Sequence, residues 1–339
     1  MTIRPPTIAL GTARDVARAL WGIEAQPRPL RGERDANFRL RAEDGRQYVL
    51  KFANPAEDAR YRDMQLGALR HIERKAPELE VPRVIALPDG ATEARVTDAS
   101  GVAYQVRLLS WIEGLPLGMS RRSAAQRDAA GTILARLQAA LAGFAHAATA
   151  TPIIWDLAHA LALREVADVL PAELRAALLP ILDDFEAKVT PIQGGLRRQV
   201  LHNDLNQANV MVDAADHDRI AGVIDFGDMA ETAIVFDAAI AAYCHFGDDM
   251  PIAEAAGHLL RRYCAMSPLR EEEIEILPLL MATRAATSAT LACYHRHAQP
   301  DNDHYSVTAE DLRRRVARII ELRAPDVVRA LHAACRHPA

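Results

Sequence analysis

The stretch VLHNDLNQANVMVDAADHDRIAGVIDFGD, residues 200–228, decides how the chain is read. Val200 and Leu201 end a short apolar run that predicts a buried strand, and His202, Asn203 and Asp204 leave it in a loop closing at Asn209. The runs VMV (210–212) and IAGVI (220–224), separated by a polar turn, predict a hairpin that ends at Asp225. Asp204, Asn209 and Asp225 are then three oxygen-bearing side chains that one site could hold.

Such a set suits phosphoryl transfer. One carboxylate can orient a hydroxyl and accept its proton, while an amide oxygen and a second carboxylate hold Mg²⁺ against phosphates. Mg²⁺ prefers hard oxygen ligands and keeps several waters, so two protein ligands plus a nucleotide suffice. His, any residue, Asp, then Asn after a four-residue spacer, followed beyond a further strand by Asp-Phe-Gly, is the order of a kinase catalytic loop and metal-binding segment.

With Asn203 where protein kinases usually carry Arg, and with DFGDM over residues 225–229, the segment resembles the aminoglycoside phosphotransferase superfamily of small-molecule kinases. Within it the chain looks most like hydroxylysine kinase and the kinase domains fused to class III aminotransferases. The resemblance implies an α+β, two-lobed protein-kinase-like fold. A small β-rich N-lobe would cover residues 1–114, and a larger helical C-lobe residues 115–339. It also implies ATP or GTP as donor.

The upstream sequence fits this order. Residues 12–22 predict an amphipathic helix against the first lobe. Residues 30–40 read as strand, polar turn and returning strand, and YVLKF (48–52) as a third strand carrying Lys51. Lys51 is the candidate phosphate-binding lysine, and Gly32 stands in the preceding loop although no G-x-G-x-x-G or Walker pattern is present. A helix over 56–75 should offer Lys51 a carboxylate. The match favours Asp63, with Glu57 second or a solvated acid instead. GERDANF (32–38), YVLK (48–51), NPAED (54–58) and DMQ (63–65) all resemble the hydroxylysine kinase group. Further strands are expected near 81–85, 95–97 and 103–109. They lead to SWIEG (110–114), where the resemblance puts the hinge and where Trp111 either flanks a base or packs as a core tryptophan.

From Ser120 the pattern is helical, with stretches at 121–143, 156–169, 172–190, 232–246, 251–265, 271–296 and 308–335. Asp156, in the family-like WDL element, is read either as a helix cap or as a substrate-pocket acid. Asp237 stands where kinase folds brace the catalytic loop, and His202 is expected to brace it by hydrogen bonding. Arg284 lies on an apolar helix and needs an anion, either a protein acid or a substrate carboxylate. Asp228 and Glu231 are the candidate acids, and either could instead receive a substrate ammonium. QPDNDHY (299–305) resembles a C-terminal element of the same group. The nearby cysteine and histidines lack zinc-type spacing.

Composition narrows the classes. The 339 residues are 50% hydrophobic and 25% charged, enough for two lobes. With 40 basic and 45 acidic residues the formal charge is -5, which offers no nucleic-acid footprint. No run approaches the roughly 18 apolar residues of a membrane span. Four cysteines without CxxC spacing predict reduced thiols and a cytoplasmic location. The expected activity is transfer of a γ-phosphoryl group to a hydroxyl of a small amino-containing alcohol, with hydroxylysine or a related hydroxy amino acid foremost. Homoserine, choline or aminoglycoside phosphorylation, a non-catalytic nucleotide-binding module and a metal hydrolase are the alternatives. The sequence carries no reading of oligomeric state.

Overall fold

The computed structural model describes residues 5–32, 34–98, 100–150, 152–247, 249–298 and 308–338. Glu33 and the 299–305 segment lie outside the described residues. The chain divides into two units, Met1–Glu113 and Gly114–Ala339.

The first unit runs α1 (Leu10–Trp21), β1 (Ala25–Leu30), β2 (Ala36–Ala42), β3 (Gln47–Phe52), α2 (Ala59–Lys75), β4 (Val84–Ile85), β5 (Ala94–Thr97) and β6 (Ala103–Ser110). Its antiparallel sheet has the order β1-β2-β3-β6-β4, with β5 also paired to β6. Side chains alternate along β3, so Tyr48, Leu50 and Phe52 enter the core with Phe38, Leu40, Val106 and Leu108. Ala13, Val16 and Ala17 of α1 close that core with Leu20 packed against it, whereas Ala19, read from the amphipathic pattern as part of the same apolar side, is exposed. The same period of two sends Lys51 to the opposite face. There it lies in register between Asn37 of β2 and Arg107 of β6. The chain turns into α2 at Asp58, whose side chain accepts from the Arg60 N–H as an N-cap.

The second unit is mostly helical. It comprises β7 (Leu115–Pro116), α3 (Ala124–Leu141), α4 (Ala172–Lys188), β8 (Arg198–Leu201), β9 (Val210–Val212), β10 (Ile220–Val223), β11 (Ala230–Ala233), α5 (Ile234–Cys244), α6 (Ile252–Met266), α7 (Glu271–Ala298), α8 (Ala309–Glu321) and α9 (Pro325–Arg336). A strand-rich first unit and a larger helical second unit match the expected fold class. Three details differ from the sequence reading. The 232–246 stretch begins in β11, paired antiparallel with β8, because AETA over 230–233 serves a ladder before helix starts at Ile234. Residues 157–169 form 3₁₀ turns with a non-helical break at His159. The 308–335 stretch is two helices, α8 ending at Glu321 and α9 opening on Pro325, whose fixed φ and missing N–H suit a first helical position.

By length and composition α7 alone among the described helices could cross a membrane, yet 78% of its apolar window is buried inside the protein. It is the core helix of the second unit and packs against α4, α5, α8 and α9. The four cysteines are free.

Glycine is required where α3 meets α6. A Cβ on Gly131 would stand 2.3 Å from the Leu259 carbonyl oxygen, a backbone atom that cannot swing away. Gly131→Ala should therefore lower the unfolding free energy by about 1–3 kcal/mol through overpacking. Urea denaturation measures this, and an unchanged midpoint would contradict the close approach.

Candidate active site

The hairpin of β9 and β10 brings Asn209 and Asp225 to one end. Val210 pairs with Val223, and the Ile224 N–H then donates to the Asn209 carbonyl at 2.8 Å, which sets Asp225 one residue beyond the last bond. Asp225 is exposed, takes a left-handed φ of 63° and accepts from the Gly227 N–H at 3.1 Å. A Cβ at Gly227 would come within 2.9 Å of the Asp225 Oδ1, so glycine leaves this carboxylate room.

Asp204 is held from three sides. Asn206 Nδ2 and Asn209 Nδ2 donate to its Oδ2 at 2.7 and 2.8 Å, and Arg284 Nη2 donates to its Oδ1 at 2.9 Å. The anion needed by the buried Arg284 is thus Asp204, which corrects the expectation of Asp228 or Glu231. The reason is packing: α7 brings Arg284 to the 202–209 loop and not to the segment after the hairpin. Glu231 instead accepts from Thr149 Oγ1 at 3.0 Å, and the Asp228 carbonyl accepts from Asn203 Nδ2 at 3.1 Å. The Trp155 ring centre lies 4.7 Å from the Arg284 guanidinium carbon.

His202 is buried and bridges two segments. Its Nε2 donates to the Ile224 carbonyl at 3.1 Å and its Nδ1 accepts from the Asp204 N–H at 3.3 Å, a pattern that fits the neutral Nε2–H tautomer. Phe226 packs edge-on against the ring. Asp237, fully buried, accepts from the Asn203 N–H at 3.1 Å and from Gln138 Nε2 at 3.0 Å. His245 Nε2 donates to the Leu205 carbonyl at 3.1 Å, and burial pushes its imidazole down to about 3, so it remains neutral. Asp156 takes the cap role: it accepts from the Ala158 N–H at 3.0 Å and from the Thr232 hydroxyl at 2.7 Å, and it is buried. The substrate-pocket reading of Asp156 gives way to that geometry.

In the first unit Lys51 Nζ lies 3.5 Å from Asp35 Oδ2. This corrects the expected partner. Asp63 is exposed on α2, and Glu57 lies against Arg62 and Arg107, with Lys51 a weaker electrostatic neighbour. Asp35 wins because β2 lies beside β3 and its loop returns the carboxylate to the charged face. It also accepts from Arg107 Nη2 at 2.9 Å and from the Asn54 N–H at 3.2 Å. Glu57 is raised above the usual carboxylate range, first by burial and then by the nearby Asp35. Gly32 fits tightly, since a Cβ there would meet the Asp35 carbonyl oxygen at 2.3 Å. Trp111 is half-buried, with the Arg39 guanidinium 4.2 Å above its ring.

Sequence reasoning gave no role to Asp35, Arg107, Asn206 or Trp155. Asp35 and Trp155 lay within quoted motifs. Arg107 carried the cue of a charge in an apolar strand, while Asn206 carried none beyond its place in the loop. Among the described residues no three His, Cys, Asp or Glu side chains form a ready metal cage. The Asn209 side-chain oxygen and the Asp225 carboxylate nevertheless have the donor chemistry of a hard-cation site completed by phosphate and water.

Comparison with known proteins agrees with the architecture. Hydroxylysine kinase of Danio rerio is 24% identical over 340 residues, covering 96% of this chain and 95% of its own. Homoserine kinase of Rhodospirillum rubrum is 33% identical over 224 residues, 63% of each chain. A microcompartment-associated aminopropanol kinase superposes with a TM-score of 0.70 at 18% identity, covering 93% of this chain and 95% of its own. An amicoumacin kinase bound to AMP-PNP, Ca²⁺ and its ligand gives 0.66 at 17% identity, covering 87% of each. These two structures share the two-lobed kinase-like fold. The phosphotransferase enzyme family matches residues 26–273, most of both units, and the chain belongs to that family as a small-molecule phosphotransferase.

Proposed function

We propose that this phosphotransferase moves the γ-phosphoryl group of ATP or GTP to the hydroxyl of a small amino-bearing alcohol, with hydroxylysine or a related hydroxy amino acid as acceptor. The hydrogen bonding of Asp204 carries the reading. An ionised carboxylate offers about four lone-pair positions. Two on Oδ2 are met by Asn206 and Asn209, and one on Oδ1 by Arg284. One position on Oδ1 is left to accept the acceptor's O–H.

As that proton passes to Oδ1, the acceptor oxygen bonds to the γ-phosphorus. The bond from phosphorus to the bridging oxygen breaks, and its electron pair leaves with the nucleoside diphosphate. Asn206, Asn209 and Arg284 keep the carboxylate oriented, while His202 and Asp237 hold its loop. Asn209 and Asp225 would hold Mg²⁺, which when bound offsets phosphate charge. Lys51, fixed by Asp35, would bind the phosphates under the loop at Gly32, and Trp111 would flank the base. Asp228 and Glu231 would offer carboxylates to an acceptor ammonium.

Similarity to hydroxylysine kinase over nearly the full length of both chains supports that acceptor. Homoserine is the second reading, favoured by the higher identity to a homoserine kinase over a shorter span.

Asp204→Ala should reduce turnover by about 10²-fold or more while nucleotide affinity persists. Diphosphate release and nucleotide titration measure the two quantities, and near-normal turnover rules out Asp204 as base. Lys51→Met should raise KM for the nucleotide by about tenfold or more, the scale of a lost hydrogen bond to a charged group. Asp35→Asn should reproduce that defect and Asp63→Asn should not; the reverse ranking would refute the Asp35 anchor.

A further inference from the structure

We infer that Arg107 is a positioning residue for Lys51: it holds the Asp35 carboxylate and shares its charge, so that the lysine ammonium stays available to a nucleotide phosphate. The inference rests on the phosphate-binding reading of Lys51 and names what keeps that side chain poised. Arg107 stands directly opposite Lys51 in the β3–β6 ladder and is 2% exposed. Like charges set opposite one another in a ladder repel, and a buried guanidinium is poorly screened by water and salt. Asp35 meets both, with one oxygen serving the two cations.

The two cations hold that oxygen unequally. Arg107 Nη2 donates to Asp35 Oδ2 at 2.9 Å, inside the range of a charge-assisted hydrogen bond, whereas Lys51 Nζ lies 3.5 Å away, beyond it. The same Nη2 also donates to Gln65 Oε1 at 3.3 Å, and the Asn54 N–H donates to Asp35 Oδ1 at 3.2 Å. Asp35 is thus fixed by the arginine and a backbone amide, and Lys51 rests against a carboxylate whose charge is already partly met. An ammonium has three donors, and none is tied into a short bond to Asp35. A phosphate can then take Lys51 while Asp35 stays where it is. Without the arginine, the full charge of Asp35 would fall on Lys51 and hold it back from the phosphates. Glu57 and Glu93 lie 4.0 and 3.8 Å from Arg107 Nη1, so the bond to Asp35 is not needed merely to neutralise the guanidinium.

The test is a double-mutant cycle on nucleotide affinity, read by calorimetry with Mg²⁺ and whichever of AMP-PNP and GMP-PNP wild type binds more tightly. It compares wild type, Lys51→Met, Arg107→Gln and the double variant. Arg107→Gln should weaken binding by about tenfold, the scale of a lost hydrogen bond to a charged group, and Arg107→Lys, which keeps the cation, should recover most of that loss. In the Lys51→Met background Arg107→Gln should add less than about twofold, because residues acting through one another do not add. Losses that multiply across the pair would make Arg107 a structural member of the charge cluster and overturn the inference. An Arg107→Gln of wild-type affinity would overturn it too, as would an Arg107→Lys that recovers nothing. Wild type that binds neither analogue, or a Lys51→Met that binds like wild type, would instead defeat the phosphate-binding reading of Lys51. If Arg107→Gln fails to fold, a crystal structure of wild type with Mg²⁺ and the same analogue decides. Asp35 should remain hydrogen-bonded to Arg107 while Lys51 Nζ moves to a phosphate; an Asp35 that leaves Arg107 to follow Lys51 would overturn the inference.

Discussion

A hydrogen bond from the Asn203 backbone to a fully buried carboxylate, Asp237, fixes the geometry on which the second unit's site depends. Asn203 holds a left-handed φ of 63°, a conformation that few residues other than glycine adopt and asparagine tolerates comparatively well. The bend lets the chain leave β8 and present His202 and Asp204 in different directions. Burial raises the Asp237 carboxyl above its usual range, while Gln138 and the Asn203 N–H oppose that shift. Gln138 is in turn held by the Tyr263 hydroxyl at 2.8 Å, so α3, α5 and α6 all bear on one loop residue. Among the described residues the other non-glycine with positive φ is Asp225. Backbone strain concentrated at two positions of the candidate site is the pattern expected where surrounding structure over-determines a site.

The first unit solves a different electrostatic problem. Lys51, Arg62 and Arg107 face Asp35, Glu57 and Glu93 on or beside the charged face of the sheet. Three cations against three acids make the cluster formally neutral, which is how several ions tolerate partial burial. Among the described residues the carboxylate paired with Lys51 is Asp35 of the β1–β2 loop. Loop and lysine positions are consequently coupled: whatever moves residues 32–37 also moves the anchor of the phosphate-binding candidate.

Much of this was legible in the sequence because it depends on local pattern. The alternation in YVLKF is enough to put Lys51 opposite the core, and the spacing from His202 to Asp225 encodes a loop followed by a hairpin. The partner of Lys51 was not legible, because strand pairing is a long-range fact that helix spacing cannot supply. Arg284 shows both sides. Its need for an anion followed from its place in an apolar helix, but the identity of that anion depended on how α7 packs against a loop 80 residues away. The start of α5 was misread since four residues of AETA satisfy a strand and a helix equally well until β8 is present to pair with them.

The phosphotransferase fold constrains the reaction class more tightly than the acceptor. In the proposed reaction Asp204 would handle the proton and Asn209 and Asp225 a cation, while Asp228 and Glu231 would bear on what arrives. The measurement that tests the central claim most directly is Mg²⁺-dependent release of nucleoside diphosphate from ATP and GTP. It is run with and without hydroxylysine, homoserine, choline, ethanolamine and an aminoglycoside. The account predicts release that depends on an amino-bearing hydroxyl compound, greatest with hydroxylysine or a related hydroxy amino acid, with phosphate recovered on that hydroxyl. Release of inorganic phosphate at the same rate with every acceptor and with none would contradict it.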